Sequence, residues 1–356
     1  MLVPFASGPL SPRRRCFGMR TRAIGRATRV TKWQDLRRAE RIAFLAGLFV
    51  AAGVPGMLSG CGGSKAPSAP LVFVKGRNVY VYDVEARTTR RLTSARDAVG
   101  DLALSPDGRN VAYTAAVHDG TDIRVAPLKG PRGRDVTPWA SFSGVHTHIE
   151  PGWLSATQLV YVDDQRGASA AIGVVHAVDL TTGRRLAKRV VPRVLRGFVG
   201  EPLEVHAGMF AWPQSWLPGG GYHCQHTEDL WTWNGKLARR LTRTPQVWES
   251  PVDVEPGLPV LGSAGRYVSG RHSFGCTSDP HAEVRYELRA WRGTASTVLL
   301  RFPRANAYAE SPREPEAAWS PGGKQLAVVD PAGRLSIRDE GGAWAVVARG
   351  VTTVDW

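Results

Sequence analysis

The sequence predicts an all-β protein, a six-bladed β-propeller of four-stranded antiparallel blades. Three observations point there. A tight-turn motif recurs between short apolar strands. A hairpin pattern follows it in successive repeats. The C-terminus stops one strand into a repeat whose other three strands stand near the start of the same region.

The turn is clearest in Ser105-Pro106-Asp107-Gly108, followed by Arg109-Asn110-Val111-Ala112-Tyr113. Ser320-Pro321-Gly322-Gly323 leads likewise into Leu326-Ala327-Val328-Val329, and Trp153-Leu154-Ser155-Ala156-Thr157 into Leu159-Val160-Tyr161-Val162. Proline presets φ and glycine accepts positive φ, so these residues suit a sharp reversal between strands. A short strand precedes each turn, at 102–104, 150–153 and 317–319. The hairpin element is Val79-Tyr80-Val81-Tyr82 leading to Arg90-Arg91-Leu92. It returns as Val175-His176-Ala177-Val178 before Arg184-Arg185-Leu186, and as Leu230-Trp231-Thr232-Trp233 before Arg239-Arg240-Leu241. β-rich runs either side of a turn read as antiparallel pairs. No long amphipathic helix follows the N-terminal leader.

Four antiparallel strands per unit make the blade of a propeller. Repeat positions fall at Leu104, Trp153, Val205, Val254, Trp319 and Trp356, spaced 49, 52, 49, 65 and 37 residues apart. Val205 and Val254 rest on spacing, because their turns have lost the motif. Val354-Asp355-Trp356 matches Ala317-Ala318-Trp319, and there the chain ends. The missing strands are 71–74, 79–84 and 90–93. Ring closure, with the C-terminal strand completing the first blade, removes two exposed strand edges. Leu104, Trp153, Trp319 and Trp356 are then expected to pack between blades.

The stretches Ser105-Pro106-Asp107-Gly108-Arg109-Asn110-Val111-Ala112-Tyr113 and Trp319-Ser320-Pro321-Gly322-Gly323-Lys324-Gln325-Leu326-Ala327 resemble repeats of the TolB-type six-bladed propeller. Similar repeats occur in prolyl-oligopeptidase-like and WD-repeat-like propellers. The resemblance covers 71–131 and 315–356 and extends to 145–190, whereas 195–310 departs from it. It implies the fold rather than an activity, since propellers host many functions.

Upstream, an apolar run at 42–58 follows an arginine-rich leader and closes on Leu58-Ser59-Gly60-Cys61. The run is 17 residues long and is interrupted by Gly47, Gly53, Pro55 and Gly56. A spanning helix needs roughly 20 apolar residues, and the layout is that of a signal peptide. Small residues before a cysteine at this place resemble the lipobox of bacterial lipoproteins. That resemblance implies cleavage before Cys61 and a lipid on Cys61. The protein is then exported and tethered to the membrane, periplasmic where an outer membrane exists. The alternative is an uncleaved N-terminal anchor helix. Met19 is a second candidate start. The expected organisation is a leader and signal over 1–60, a Gly/Ser/Pro tether over 61–70 and the propeller over 71–356.

The chain carries 46 Lys and Arg against 31 acids, net +15. Residues 1–60 hold 11 of those cations and two acids, leaving 35 against 29, net +6, for the exported part. Most of the basic excess belongs to the leader, so nucleic-acid binding is not expected, while mild attraction to anionic headgroups is. Of four cysteines, Cys16 lies in the leader and Cys61 takes the lipid. Cys224 and Cys276 remain, an even pair in an oxidising compartment. Pairing would close a loop of about 50 residues, worth roughly 4 kcal/mol in the chain-entropy model. Two buried free thiols are the alternative.

No Gly-x-Ser-x-Gly elbow, His-Glu-x-x-His or phosphate loop is present. His146 and His148 with Glu150 alternate along a strand, a spacing that chelates a metal. His223, His226 and His272 lie near the two cysteines, where a zinc site competes with a disulfide flanked by loop histidines. Trp212, Trp216, Trp231, Trp233 and Trp248 form a dense group, read as core in preference to a contact surface. Carboxylates recur at the start of inner strands, at Asp101, Glu150, Glu204, Asp253 and Glu316. The expectation is a non-enzymatic binding scaffold for a protein or cell-envelope partner, with no cofactor beyond the lipid. The alternative is a lactonase- or lyase-like enzyme using a metal or those acids at the central channel.

Overall fold

The computed structural model describes residues 69–356 except 95, 119, 130–133, 137–145, 165–172, 188–189, 197–202, 217–226, 243–247, 269–282, 304 and 307–312. Strands of alternating β-branched and aromatic residues pair antiparallel into six blades. The first blade holds β1 (Leu71–Lys75), β2 (Asn78–Asp83) and β3 (Thr88–Arg91). The second holds β4 (Ala98–Leu104), β5 (Asn110–Val117), β6 (Gly120–Pro127) and the short β7 (Arg134–Asp135). The third holds β8 (His146–Ser155), β9 (Gln158–Asp164), β10 (Gly173–Asp179) and β11 (Arg184–Arg185). The fourth holds β12 (Glu204–His206), β13 (Met209–Trp216), β14 (Thr227–Trp233) and β15 (Ala238–Arg240). The fifth holds β16 (Trp248–Asp253), β17 (Val260–Val268), β18 (Glu283–Arg292) and β19 (Ala295–Arg301), with β20 (Ala305–Asn306) also on β18. The sixth holds β21 (Glu316–Trp319), β22 (Leu326–Val329), β23 (Arg334–Arg338) and β24 (Trp344–Arg349). The last strand, β25 (Val351–Asp355), returns to the first blade and pairs with β1 in the register Val72↔Asp355 and Phe73↔Val354. The ring is thus closed by the C-terminal strand. A two-residue parallel contact, Gly120↔His146 and Thr121↔Thr147, ties the second blade to the third.

Burial peaks on the strands second from the axis and falls towards the outermost. β1 and β22 are buried on both faces, because a blade lies against each side, whereas every residue of β3 and β15 is exposed. Each of the six seams between blades has its own apolar cluster. Leu104 packs with Val72 and Val81 between the first two blades, and Trp153 with Ala103 and Tyr161 at the next seam. Trp319 packs at the seam of the fifth and sixth blades, and Trp356 with Leu71 and Ile337 where the ring closes. Trp212 is buried, and Trp231 and Trp233 pack against the same cluster between the third and fourth blades. At Gly152 two blades approach closely: a Cβ there would stand 2.5 Å from the Cβ of Val205.

The motif turns are built alike. Ser105 Oγ accepts from the Asn110 N–H at 2.9 Å, and Ser320 Oγ from the Gln325 N–H at 2.9 Å. Where the motif is lost, other left-handed residues take over. Ala207 and Gly208 (φ 45° and 79°) reverse the chain between β12 and β13, and Gly257 (φ 83°) does so before β17. All these first-to-second-strand turns share one face of the ring. Residue Ala69, entering β1, lies on that face too, and the Trp356 Nε1–H donates to its carbonyl at 2.8 Å.

Candidate functional site

Each innermost strand brings one carboxylate to the axis. They are Asp101 on β4, Glu150 on β8, Glu204 on β12, Asp253 on β16, Glu316 on β21 and Asp355 on β25. Asp355 was not among the five expected from sequence. The acids sit either three residues before the repeat position (Asp101, Glu150, Glu316) or one before it (Glu204, Asp253, Asp355). Two residues apart on a strand is the same face, so both placements reach the axis.

Most of these carboxylates grip the neighbouring blade. Asp355 Oδ2 accepts from the Leu104 N–H at 2.5 Å, and Asp101 Oδ2 from the Glu150 N–H at 3.2 Å. Glu150 Oε2 accepts from the Leu203 N–H at 2.6 Å, and Asp253 Oδ2 from the Trp319 N–H at 2.7 Å. Glu316 accepts from the Thr353 hydroxyl and the Val354 N–H. In each case an acid of one blade caps a backbone donor of the next. Glu204 alone has no such bond among the described residues. It faces Asp355, Asp253, Glu316 and Asp101.

Burial dominates the electrostatics here, since the exposure these acids keep is to the narrow axis. It pushes the Glu204 and Asp253 carboxyls well above the usual range, aided by the other acids. Glu316 is pushed up to about 8 and Asp355 to about 7, burial outweighing the hydrogen bonds that oppose it. Asp101 is raised by burial as well. Glu316 thus keeps its proton at neutral pH and Asp355 is close to half-protonated there, so the axis is not a ring of bare charges.

A cavity of about 990 Å³ opens on the turn face, between the axis and the first two blades. Ala69 and Pro70, the Ser105–Asn110 turn, Leu128, Lys129, His206, Glu255 and Trp356 line it. It was not foreseen from sequence, because its walls come from five blades. Glu255, part-exposed on the connection after β16, is pushed up to about 7, first by burial and then by Asp355. Burial lowers His206, which keeps its imidazole neutral.

Among the described residues no group of three His, Cys, Asp or Glu is placed to hold a metal. Glu150 sits at a bulge with φ 52°, and its carboxylate is committed to Leu203. The side chains of His146 and His148 lie outside the described residues, as do Cys61, Cys224, Cys276, His223, His226 and His272. Among the described residues no helix is long and apolar enough to cross a membrane.

No protein-family model and no curated protein sequence matches the chain. Among solved structures it is similar to TolB from Acinetobacter baumannii, with TM-score 0.53 and 14% identity over 81% of this chain. The chain spans 66% of that TolB's length. The fold is that of a TolB-like six-bladed β-propeller. A putative TolB from Agrobacterium tumefaciens aligns at TM-score 0.46 and 14% identity, over 67% of this chain and 79% of its own. An oligogalacturonate lyase in complex with manganese aligns at TM-score 0.43 and 17% identity, over 76% of this chain and 70% of its own.

Proposed function

We propose that the chain is an exported lipoprotein, held at a membrane by a lipid on Cys61 and the tether over 61–70. Its propeller serves as a non-enzymatic scaffold that binds a protein or cell-envelope partner. The observation that carries the reading is the use made of the axial acids. Asp101, Glu150, Asp253, Glu316 and Asp355 spend their lone pairs on backbone donors of adjacent blades. They make a rigid ring, and a rigid ring is what a binding surface needs. The cavity on the turn face offers the recess. A photo-crosslinking amino acid in place of the exposed Arg109 should capture a partner in membranes, and one in place of Lys75 on the opposite face should not. Equal capture at both positions would contradict the reading. Intact mass tests the anchor: the mature chain should begin at Cys61 and carry lipid.

The enzyme reading draws on one specific feature, the proton held near neutral pH by Glu316 and Asp355, which suits general acid catalysis. Elemental analysis and lactone or uronate turnover test it. Turnover abolished by Glu316→Gln, with the melting curve intact, would favour it over the scaffold.

A further inference from the structure

The cavity on the turn face is polarised along its length. Its inner end holds Glu255 and the neutral His206. Its outer end holds three cations, Arg90, Arg109 and Lys129, against two acids, Asp83 and Asp107, and the Leu128 N–H, donating to the Arg109 carbonyl at 2.7 Å, brings Arg109 and Lys129 together. Glu255 has no hydrogen-bond or ion-pair partner among the described residues, and a half-buried carboxylate gains most from a cation that reaches it. Lys129 is exposed and likewise unpartnered among the described residues. Arg109 meets Asp107 only at 4.0 Å, with 83% of its side chain exposed. Between the two ends, Pro106 and Leu128 offer an aliphatic wall.

The geometry points to a binding site for a short peptide with a free amino terminus, its ammonium against Glu255 and its terminal or side-chain carboxylate between Arg109 and Lys129. This narrows the scaffold reading and rests on it. The volume is at the upper end for small-ligand pockets, so a few residues fit. A lone divalent cation would leave the cavity unfilled. A polyanion would meet Glu255, and a polyamine would meet Arg109 and Lys129. A zwitterion with an extended, partly apolar body satisfies both ends at once.

Titration calorimetry of the full lipoprotein in detergent, near pH 7.5 so that Glu255 is mostly ionised and the peptide amine mostly protonated, tests this with Ala-Ala-Ala-Glu as probe. The free peptide should bind saturably. Its N-acetylated form should bind roughly tenfold or more weakly. Glu255→Gln, nearly isosteric, should weaken the free peptide as much while leaving the acetylated one unchanged. Lys129→Ala, on an exposed side chain, should weaken both forms. Equal binding of free and acetylated peptide, or no saturable heat with either, overturns the peptide site. Crosslinking at Arg109 without peptide binding overturns this inference alone and leaves the scaffold standing.

Discussion

At the scale of the residue, the seams are decided by a few close contacts. Gly152 on β8 is one. An alanine Cβ would meet Val205 Cβ at 2.5 Å and the Val205 carbonyl at 2.8 Å, and that carbonyl is backbone that cannot rotate away. Gly152→Ala should therefore force the third and fourth blades apart and cost about 1–3 kcal/mol, as overpacking does. Gly100→Ala is the control. Its nearest neighbour would be Thr114 Cβ at 3.8 Å, an ordinary contact. Chemical denaturation should show a lowered midpoint for the first and an unchanged one for the second. The close approach was not legible in the sequence, because nothing local distinguishes Gly152 from a turn glycine. The axial acids were legible where a repeat residue marked them, as at Glu150 before Trp153. Asp355 shares its place, one residue before the repeat position, with Glu204 and Asp253, and it escaped because Val354-Asp355-Trp356 reads only as the strand that closes the ring.

At the scale of the element, the strand order follows from the pattern and the strand ends do not. The innermost strand written as 102–104 runs over Ala98–Leu104, and that written as 150–153 over His146–Ser155. The added residues of the first include Gly100, which lacks strand propensity and sits where the register shifts between Ala98 and Leu102. In the fourth and fifth blades the lost Ser-Pro-Asp-Gly motif hid the reversals, which Gly208 and Gly257 perform by φ alone. The recurring Arg-Arg pairs read as second strands of hairpins, and they are the outermost strands β3, β11 and β15, exposed at every position. An outermost strand presents unpaired backbone groups to other chains, and charge is the usual protection. Replacing Arg91, Arg184 and Arg239 together by valine should leave the melting temperature nearly unchanged and make the protein self-associate. Light scattering against concentration reads this, and a monodisperse triple variant would refute the protective role.

At the scale of the whole molecule, the axial acids couple ring closure to pH. Glu316 on β21 bonds to Thr353 and Val354, and Asp355 on β25 to Leu104, so the two acids span both seams of the closing strand. Their folded pKa values, about 8 and about 7, lie above the unfolded ones of 4.5 and 3.8. The folded state then holds protons that the unfolded chain releases. The stability they contribute is complete below about pH 4 and is lost as pH rises towards about 8. The groups facing them, Glu204, Asp253, Asp101, Glu255 and Glu314, are acidic, so ionisation adds repulsion across the axis. His206 works the other way, since its lowered pKa costs stability as pH falls below the imidazole range. The midpoint of thermal unfolding should thus fall by several degrees between about pH 6 and about pH 8.5. Glu316→Gln keeps the shape and an acceptor but cannot ionise, so its midpoint should fall less over the same interval. An identical fall in the wild type and the variant would show that Glu316 is not part of the latch. A steeper fall in the variant would mean that its charge, rather than its proton, holds the sixth blade to the first.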